Sequence, residues 1–127
     1  MRVAVILFVS TAVVVASSGA GEAADPDLGE VLFGTHCATC HAIDLPRTVF
    51  GPHLVGVFGR KAGSVGGFRY SYEMRVSGIV WDEETLDALM IDPQELVPGA
   101  IMYYRGLHNE DHRAHIIAYL KQQSGAE

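Results

Sequence analysis

Apolar residues recur at helical spacing in several stretches of this chain, and no stretch alternates convincingly with a period of two. Leu28, Leu32 and Phe33 show this spacing near the start of the mature part of the chain, and Gly29 leaves room there for a close helix crossing. Because no strand pattern is found, the chain is predicted to be all-α. The predicted helical segments cover residues 27–36, 83–90, 93–96 and 110–122.

Glycine and proline interrupt the segment between residues 42 and 67, which is predicted to be a loop. So long a loop is unusual in a compact domain and needs a physical reason. Wrapping around a flat cofactor would supply one.

The first 24 residues have the pattern of a signal peptide. Arg2 gives a positive start, an apolar run follows over residues 3–15, and small residues lead to a cleavage site near 20–24. The run is short for a transmembrane span of about 20 residues, so cleavage is favoured over a retained anchor. We therefore expect residues 1–24 to be removed and residues 25–127 to form one domain in the periplasm, without stable membrane insertion.

The remaining residues are enough for a single small domain. Removal of the leader takes away Arg2 and Glu22, so that 8 basic residues face 14 acidic ones and the net charge stays at −6. This charge argues against nucleic acid or an anionic membrane as a partner.

The strongest chemical signal is the segment Cys37-Ala38-Thr39-Cys40-His41. Two thiols at this spacing can each form a thioether to one vinyl group of a single haem, and the adjacent histidine can then ligate the iron. The segment thus predicts covalent attachment of one haem c.

Other interpretations of these residues are weaker. A thioredoxin-like redox motif requires a βαβ setting, and no strand pattern precedes the cysteines. A structural zinc site requires four ligands, whereas Cys37, Cys40 and His41 provide three. A disulfide between the two cysteines stays possible in an oxidising compartment.

Further short motifs follow the Cys-Ala-Thr-Cys-His segment in chain order. With them, the chain resembles the small soluble class I cytochromes c of mitochondria and the bacterial periplasm over residues 27–122. The motifs are Gly51-Pro52-His53-Leu54, Val57-Phe58-Gly59-Arg60-Lys61, Gly67-Phe68-Arg69-Tyr70, Gly78-Ile79-Val80-Trp81, Thr85-Leu86, Val97-Pro98-Gly99-Ala100-Ile101-Met102 and Ile117-Ala118-Tyr119-Leu120.

The resemblance implies a fold in which the first and last helices cross, and it implies a ligand set. Cys37 and Cys40 would hold the haem covalently and His41 would be the proximal ligand. The carbonyl of Pro52 would accept a hydrogen bond from the other imidazole nitrogen, and Met102 would be the sixth ligand.

Three further residues are implied to surround a haem propionate: Arg60, Tyr70 and Trp81. Aromatic side chains in small domains are often simply core residues, so both interpretations stay open for Tyr70 and Trp81. Met102 is favoured as ligand over Met90, which lies in a helical apolar stripe, and over Met74, which is expected in an irregular stretch.

The function implied is that of a monomeric periplasmic electron carrier, not an enzyme. Two alternatives stay open: a peroxidase-like enzyme or gas sensor in which Met102 detaches, and a dedicated electron-accepting subunit of a dehydrogenase. Leu89 and Ala100, which stand where the family often has hydroxyl groups, motivate the enzyme or sensor alternative.

The partners are expected to differ from those of familiar family members, which surround the haem edge with lysines. Here the corresponding positions hold His36, Gln94, Glu95 and Ile101. We therefore expect redox partner proteins with a basic or apolar docking face, the apolar contact being centred on Ile101 and Tyr103.

Overall fold

A computed structural model describes residues 23–126, and within that range it contains five α-helices and no β-strand. The predicted all-α class is therefore confirmed, and the predicted bounds of four helices are correct to within about one residue. The expected signal peptide lies almost wholly outside the described residues. The helices are α1 (Pro26–His36), α2 (Tyr72–Val76), α3 (Glu83–Ile91), α4 (Pro93–Leu96) and α5 (Glu110–Gln123).

Helices α1 and α5 cross in close contact, as the resemblance implies. Asp25 caps α1, its carboxylate accepting a hydrogen bond from the N–H of Asp27 at 2.9 Å. A Cβ atom on Gly29 would collide with the carbonyl oxygen of His115 on α5, so only glycine permits this approach. Next to the contact, the rings of Phe33 and Tyr119 pack with their centroids 5.6 Å apart.

Helix α3 is joined to α5 by an ion pair that the apolar pattern does not reveal. Arg113, on α5, is only 6 % exposed. Its Nε donates to the carboxylate of Asp87 at 2.7 Å, and its Nη1 donates to the carbonyl of Leu107 at 2.9 Å. A buried guanidinium requires such partners, so this end of the fold depends on a polar contact.

The structure corrects the prediction of an irregular stretch around Met74. This residue lies in α2, which Ser71 caps by accepting a hydrogen bond from the Met74 N–H at 3.2 Å. Helix α2 spans little more than one turn and buries a single apolar side chain, so no periodicity marks it in the sequence.

The predicted loop over residues 42–67 is confirmed and contains no helix. Two backbone hydrogen bonds fix the later part of the loop to the segment before α3. The N–H of Gly59 donates to the carbonyl of Trp81 at 2.8 Å, and the N–H of Trp81 donates to the carbonyl of Arg60 at 3.0 Å. Gly63 adopts φ +73°, and a Cβ atom there would lie 2.8 Å from the Cα of Arg75. The loop is thereby held against α2 and the segment before α3.

Candidate functional site

A cavity of about 310 Å³ lies between the long loop and helices α1, α2, α3 and α5. Its size is within the range of cofactor pockets, and most of its lining is apolar. The cavity brings together all eight site residues that the sequence predicts. They are Cys37, Cys40, His41, Pro52, Arg60, Tyr70, Trp81 and Met102.

The turn that follows α1 places the two thiols and the histidine at the cavity. The N–H groups of Cys40 and His41 both donate to the carbonyl of Cys37, at 3.0 and 2.9 Å. No disulfide joins the two cysteines, and Cys37 is half-buried while Cys40 is exposed. Burial, with a smaller contribution from Cys40, raises the pKa of Cys37 to about 11. Until a haem is attached, the thiol of Cys37 therefore stays protonated well into the alkaline range.

The His41 ring is held by its neighbours in one orientation. Its Nδ1 lies 2.7 Å from the carbonyl oxygen of Pro52. A carbonyl only accepts, so Nδ1 carries the proton and Nε2 keeps the lone pair that a metal needs. Burial lowers the pKa of His41, against the opposing effect of the Pro52 carbonyl, and so favours the neutral imidazole. Gly51 makes room for the ring, because a Cβ atom there would lie 2.6 Å from its Cε1.

Three methionines line the cavity, and their packing distinguishes them. Met74 and Met90 are both buried members of the hydrophobic core. Met102 is half-buried and belongs neither to that core nor to the side chains packed against it. Its loop turns at Gly99, with φ +93°, just before the methionine. The packing therefore leaves the sulfur of Met102 the freest of the three to act as a ligand.

Arg60 uses part of its guanidinium to organise the loop. Nη1 donates to the carbonyl of Val55 and Nη2 to the carbonyl of His53, both at 2.8 Å. A guanidinium has five N–H donors, so further donors stay available on the cavity side. Tyr70 and Trp81 line the same cavity, and burial raises the pKa of Tyr70, which keeps its hydroxyl a donor.

The mouth of the cavity is strongly apolar and exposed. Tyr103 is 93 % exposed, Phe50 79 % and Ile101 44 %, and all three also line the cavity. We call these three residues the apolar mouth. The sequence indicates Ile101 and Tyr103 but not Phe50, because Phe50 is brought to the mouth by a contact distant in sequence. The N–H of the following Gly51 donates to the carbonyl of Cys40 at 2.8 Å.

The donor set of this cavity fits a covalently attached haem. The thiols can form thioethers, His41 presents an unprotonated Nε2, and Met102 presents a soft sulfur. The Arg60 guanidinium and the Tyr70 hydroxyl can bind carboxylates at the edge of an otherwise apolar pocket. A covalently attached haem with histidine and methionine ligands would use these groups together: two thiols for thioethers, one nitrogen and one sulfur ligand, and donors for its propionates.

Comparisons with known proteins agree with this donor set. The family model for cytochrome c matches residues 26–124. Cytochrome c type-1 of Ascaris suum is 38 % identical over 99 residues, which cover 78 % of this chain and 88 % of that protein. Cytochrome c2 iso-2 of Magnetospirillum molischianum is 42 % identical over 87 residues, covering 68 % of this chain and 90 % of that protein.

The comparison with solved structures gives the same result for the fold. The structure of cytochrome cH from Methylobacterium extorquens superposes with a TM-score of 0.72 at 36 % sequence identity. The match covers 77 % of this chain and 98 % of that one.

Proposed function

This chain belongs to the cytochrome c family, and from that membership we propose that it is a periplasmic carrier of single electrons with His41 and Met102 as its iron ligands. Proteins of this family bind one covalent haem c, and the chain is an electron-transfer haem protein. The observation that carries the finer proposal is the cavity that collects both thiols, His41 and Met102. When bound, the haem supplies one-electron chemistry between ferric and ferrous iron.

His41 and Met102, the proposed iron ligands, would contribute in different ways. Pro52 holds the imidazole of His41 through the 2.7 Å contact to Nδ1, which fixes the ring and makes it more basic as a ligand. The thioether of Met102 is uncharged and soft, so as a ligand it would favour the reduced iron and raise the reduction potential. If His41 and Met102 both held the iron, no position on it would be left for a substrate, and we infer a carrier rather than an enzyme.

The polar edge of the cavity has a separate task. A carboxylate held in an apolar pocket needs donors. We propose that Arg60, Tyr70 and Trp81 provide them to a propionate. The indole N–H of Trp81 is a donor only, and its side chain is buried against the cavity, which supports this role.

We propose that electrons pass through the apolar mouth, and that the partners are redox proteins with an apolar docking face and a basic rim. Large exposed aromatic side chains such as Phe50 and Tyr103 often carry most of the affinity at protein interfaces. The net charge of −6 favours a basic rim on the partner. Added salt should therefore slow the encounter, whereas a transfer rate that is insensitive to salt would contradict the charge argument.

The periplasmic location is supported by the leader pattern of residues 1–24. Among residues 23–126, no helix is long and apolar enough to cross a membrane. Expression of the full chain in a bacterium that attaches haem c, followed by fractionation and mass determination of the product, tests both cleavage and location.

A redox titration of the purified holoprotein, followed by its absorption spectrum, tests the carrier proposal. We expect one reversible one-electron transition and a potential in the high range typical of histidine and methionine ligation. An irreversible titration, or a low potential typical of two nitrogen ligands, would contradict it.

One observation favours a second candidate function, an enzyme or gas sensor. Leu89 lines the cavity and Ala100 lies in the loop that ends at Met102, and neither side chain can hydrogen-bond to stabilise Met102. If the methionine detaches readily, a small molecule could take its place. Rapid binding of carbon monoxide to the reduced protein would support this candidate, and no binding would support the carrier.

A further inference from the structure

Gln94 connects α4 to the loop that ends at Met102. Its side-chain Nε2 donates to the carbonyl oxygen of Ala100 at 2.7 Å. Its Oε1 accepts a hydrogen bond from the N–H of Gly99 at 3.3 Å. One side-chain amide thus binds two consecutive residues of the backbone, Gly99 and Ala100, which are separated from the proposed ligand Met102 by Ile101 alone.

The backbone of Gln94 is itself well fixed. Asp92 caps α4, and its carboxylate accepts from the N–H of Gln94 at 2.8 Å and from that of Glu95 at 3.3 Å. Pro93, at the first position of the helix, is fully buried. The amide therefore extends from an anchored base, and only the side-chain torsions of Gln94 have to be ordered to form the two bonds.

Within the part of the chain that the structure describes, residues 98–102 make one backbone–backbone hydrogen bond. The N–H of Ala100 donates to the carbonyl of Val97 at 2.9 Å, which closes a turn. Gly99, within that turn, has the positive φ that other residues rarely adopt. The methyl group of Ala100 is buried and cannot donate or accept. Gln94, on helix α4, supplies the hydrogen bond to this loop that the Ala100 side chain cannot make.

We infer that Gln94 is a positioning residue that holds the loop 99–102 so that the Met102 sulfur stays on the iron. The inference rests on the proposed ligation by Met102. An external ligand such as imidazole would have to displace Met102 from the iron. The strength of the Gln94 contact should therefore appear in the affinity of the ferric protein for imidazole. It should appear equally in the absorption band that arises from sulfur-to-iron charge transfer.

The test compares two substitutions in the holoprotein. Gln94→Met keeps the length of the side chain and removes both hydrogen bonds. The double variant Gln94→Glu with Glu95→Gln keeps the net charge and places a carboxylate oxygen against the carbonyl of Ala100. Loss of one ordinary hydrogen bond corresponds to about a tenfold change in an equilibrium. We expect imidazole to bind about tenfold more tightly to Gln94→Met, and at least as tightly to the double variant.

Glu95→Gln alone is the matched control, because it changes an exposed neighbour on the same helix. Its imidazole affinity should stay within about twofold of the wild type. A Gln94→Met variant with wild-type affinity and an unchanged band would overturn the role of Gln94 while leaving Met102 as ligand. A wild-type protein without the band would instead overturn the ligation by Met102, and with it the premise.

Discussion

The crossing of α1 and α5 and the loops around the cavity are stabilised in opposite ways. At the crossing, protein atoms meet protein atoms: Gly29 allows the backbones to touch, and Phe33 packs against Tyr119 beside them. The loop over residues 42–67 has no helix and faces a cavity, so its inner side would be completed by the haem. Substitutions at the crossing should therefore act on protein packing, and substitutions around the cavity should act through the cofactor.

The largest effect is expected from a methyl group added at the crossing. Gly29→Ala places a Cβ atom against the backbone of His115, which cannot move without separating the helices. We expect the free energy of unfolding of the holoprotein to fall by about 3 kcal/mol. Denaturant titration followed by far-ultraviolet circular dichroism measures it.

Gly34→Ala is the matched control, since it lies in the same helix and a Cβ atom there meets nothing within 4 Å. It should raise the free energy of unfolding by about 0.5–1 kcal/mol because alanine favours the helix. Equal effects of the two substitutions would show that the crossing is not tightly packed.

The next effect concerns the polar link between α3 and α5. Asp87→Ala leaves the nearly buried guanidinium of Arg113 without its carboxylate, and we expect a loss of about 2 kcal/mol in the free energy of unfolding. Glu83→Ala removes an exposed ion pair with Lys121 and should cost less than about 1 kcal/mol. A cost for Asp87→Ala as small as that for Glu83→Ala would mean that water replaces the carboxylate.

A smaller effect is expected beside the cavity, and it should act through the cofactor. Gly51→Ala pushes a methyl group toward the imidazole of His41. We expect the free energy of unfolding of the holoprotein to fall by about 1–2 kcal/mol and the haem absorption spectrum to shift. Gly66→Ala, in the same loop and with open space around the added atom, should change neither quantity. A destabilised Gly51→Ala protein with an unaltered spectrum would argue against action through His41.

The apolar mouth should matter for rate and not for stability. Tyr103→Ser should lower the second-order rate of oxidation by membrane fragments of the source organism about tenfold. Tyr72, which is 66 % exposed and does not line the cavity, gives the matched variant Tyr72→Ser, which should keep the wild-type rate. A similar loss of rate in both variants would contradict the proposal that the apolar mouth is the docking face.

Much of the helical fold could be predicted because its signals are local. Capping residues and apolar spacing mark α1, α3 and α5, and proline marks the turn at α4. Helix α2 was missed because a single buried Met74 gives no period. The ion pair of Arg113 was missed because its partner lies 26 residues away in sequence.

The site shows the same division between local and long-range signals. The thiols and His41 follow from five adjacent residues, whereas Met102, Arg60, Tyr70 and Trp81 were indicated by resemblance to a family. No sequence pattern predicts that Arg60 divides its donors between the carbonyls of Val55 and His53, since that depends on the course of the loop. The amide contact of Gln94 to residues 99 and 100 depends on the same kind of packing.

The central claim is that one haem in this cavity is closed on its two faces by His41 and Met102. The most direct measurement is the far-red absorption spectrum of the oxidised holoprotein in the wild type and in Met102→Ala, Met74→Leu and Met90→Leu. We expect the sulfur-to-iron band in the wild type and in the last two variants, and its loss in Met102→Ala alone. A band that survives in Met102→Ala, or that disappears with Met74 or Met90, would contradict the claim.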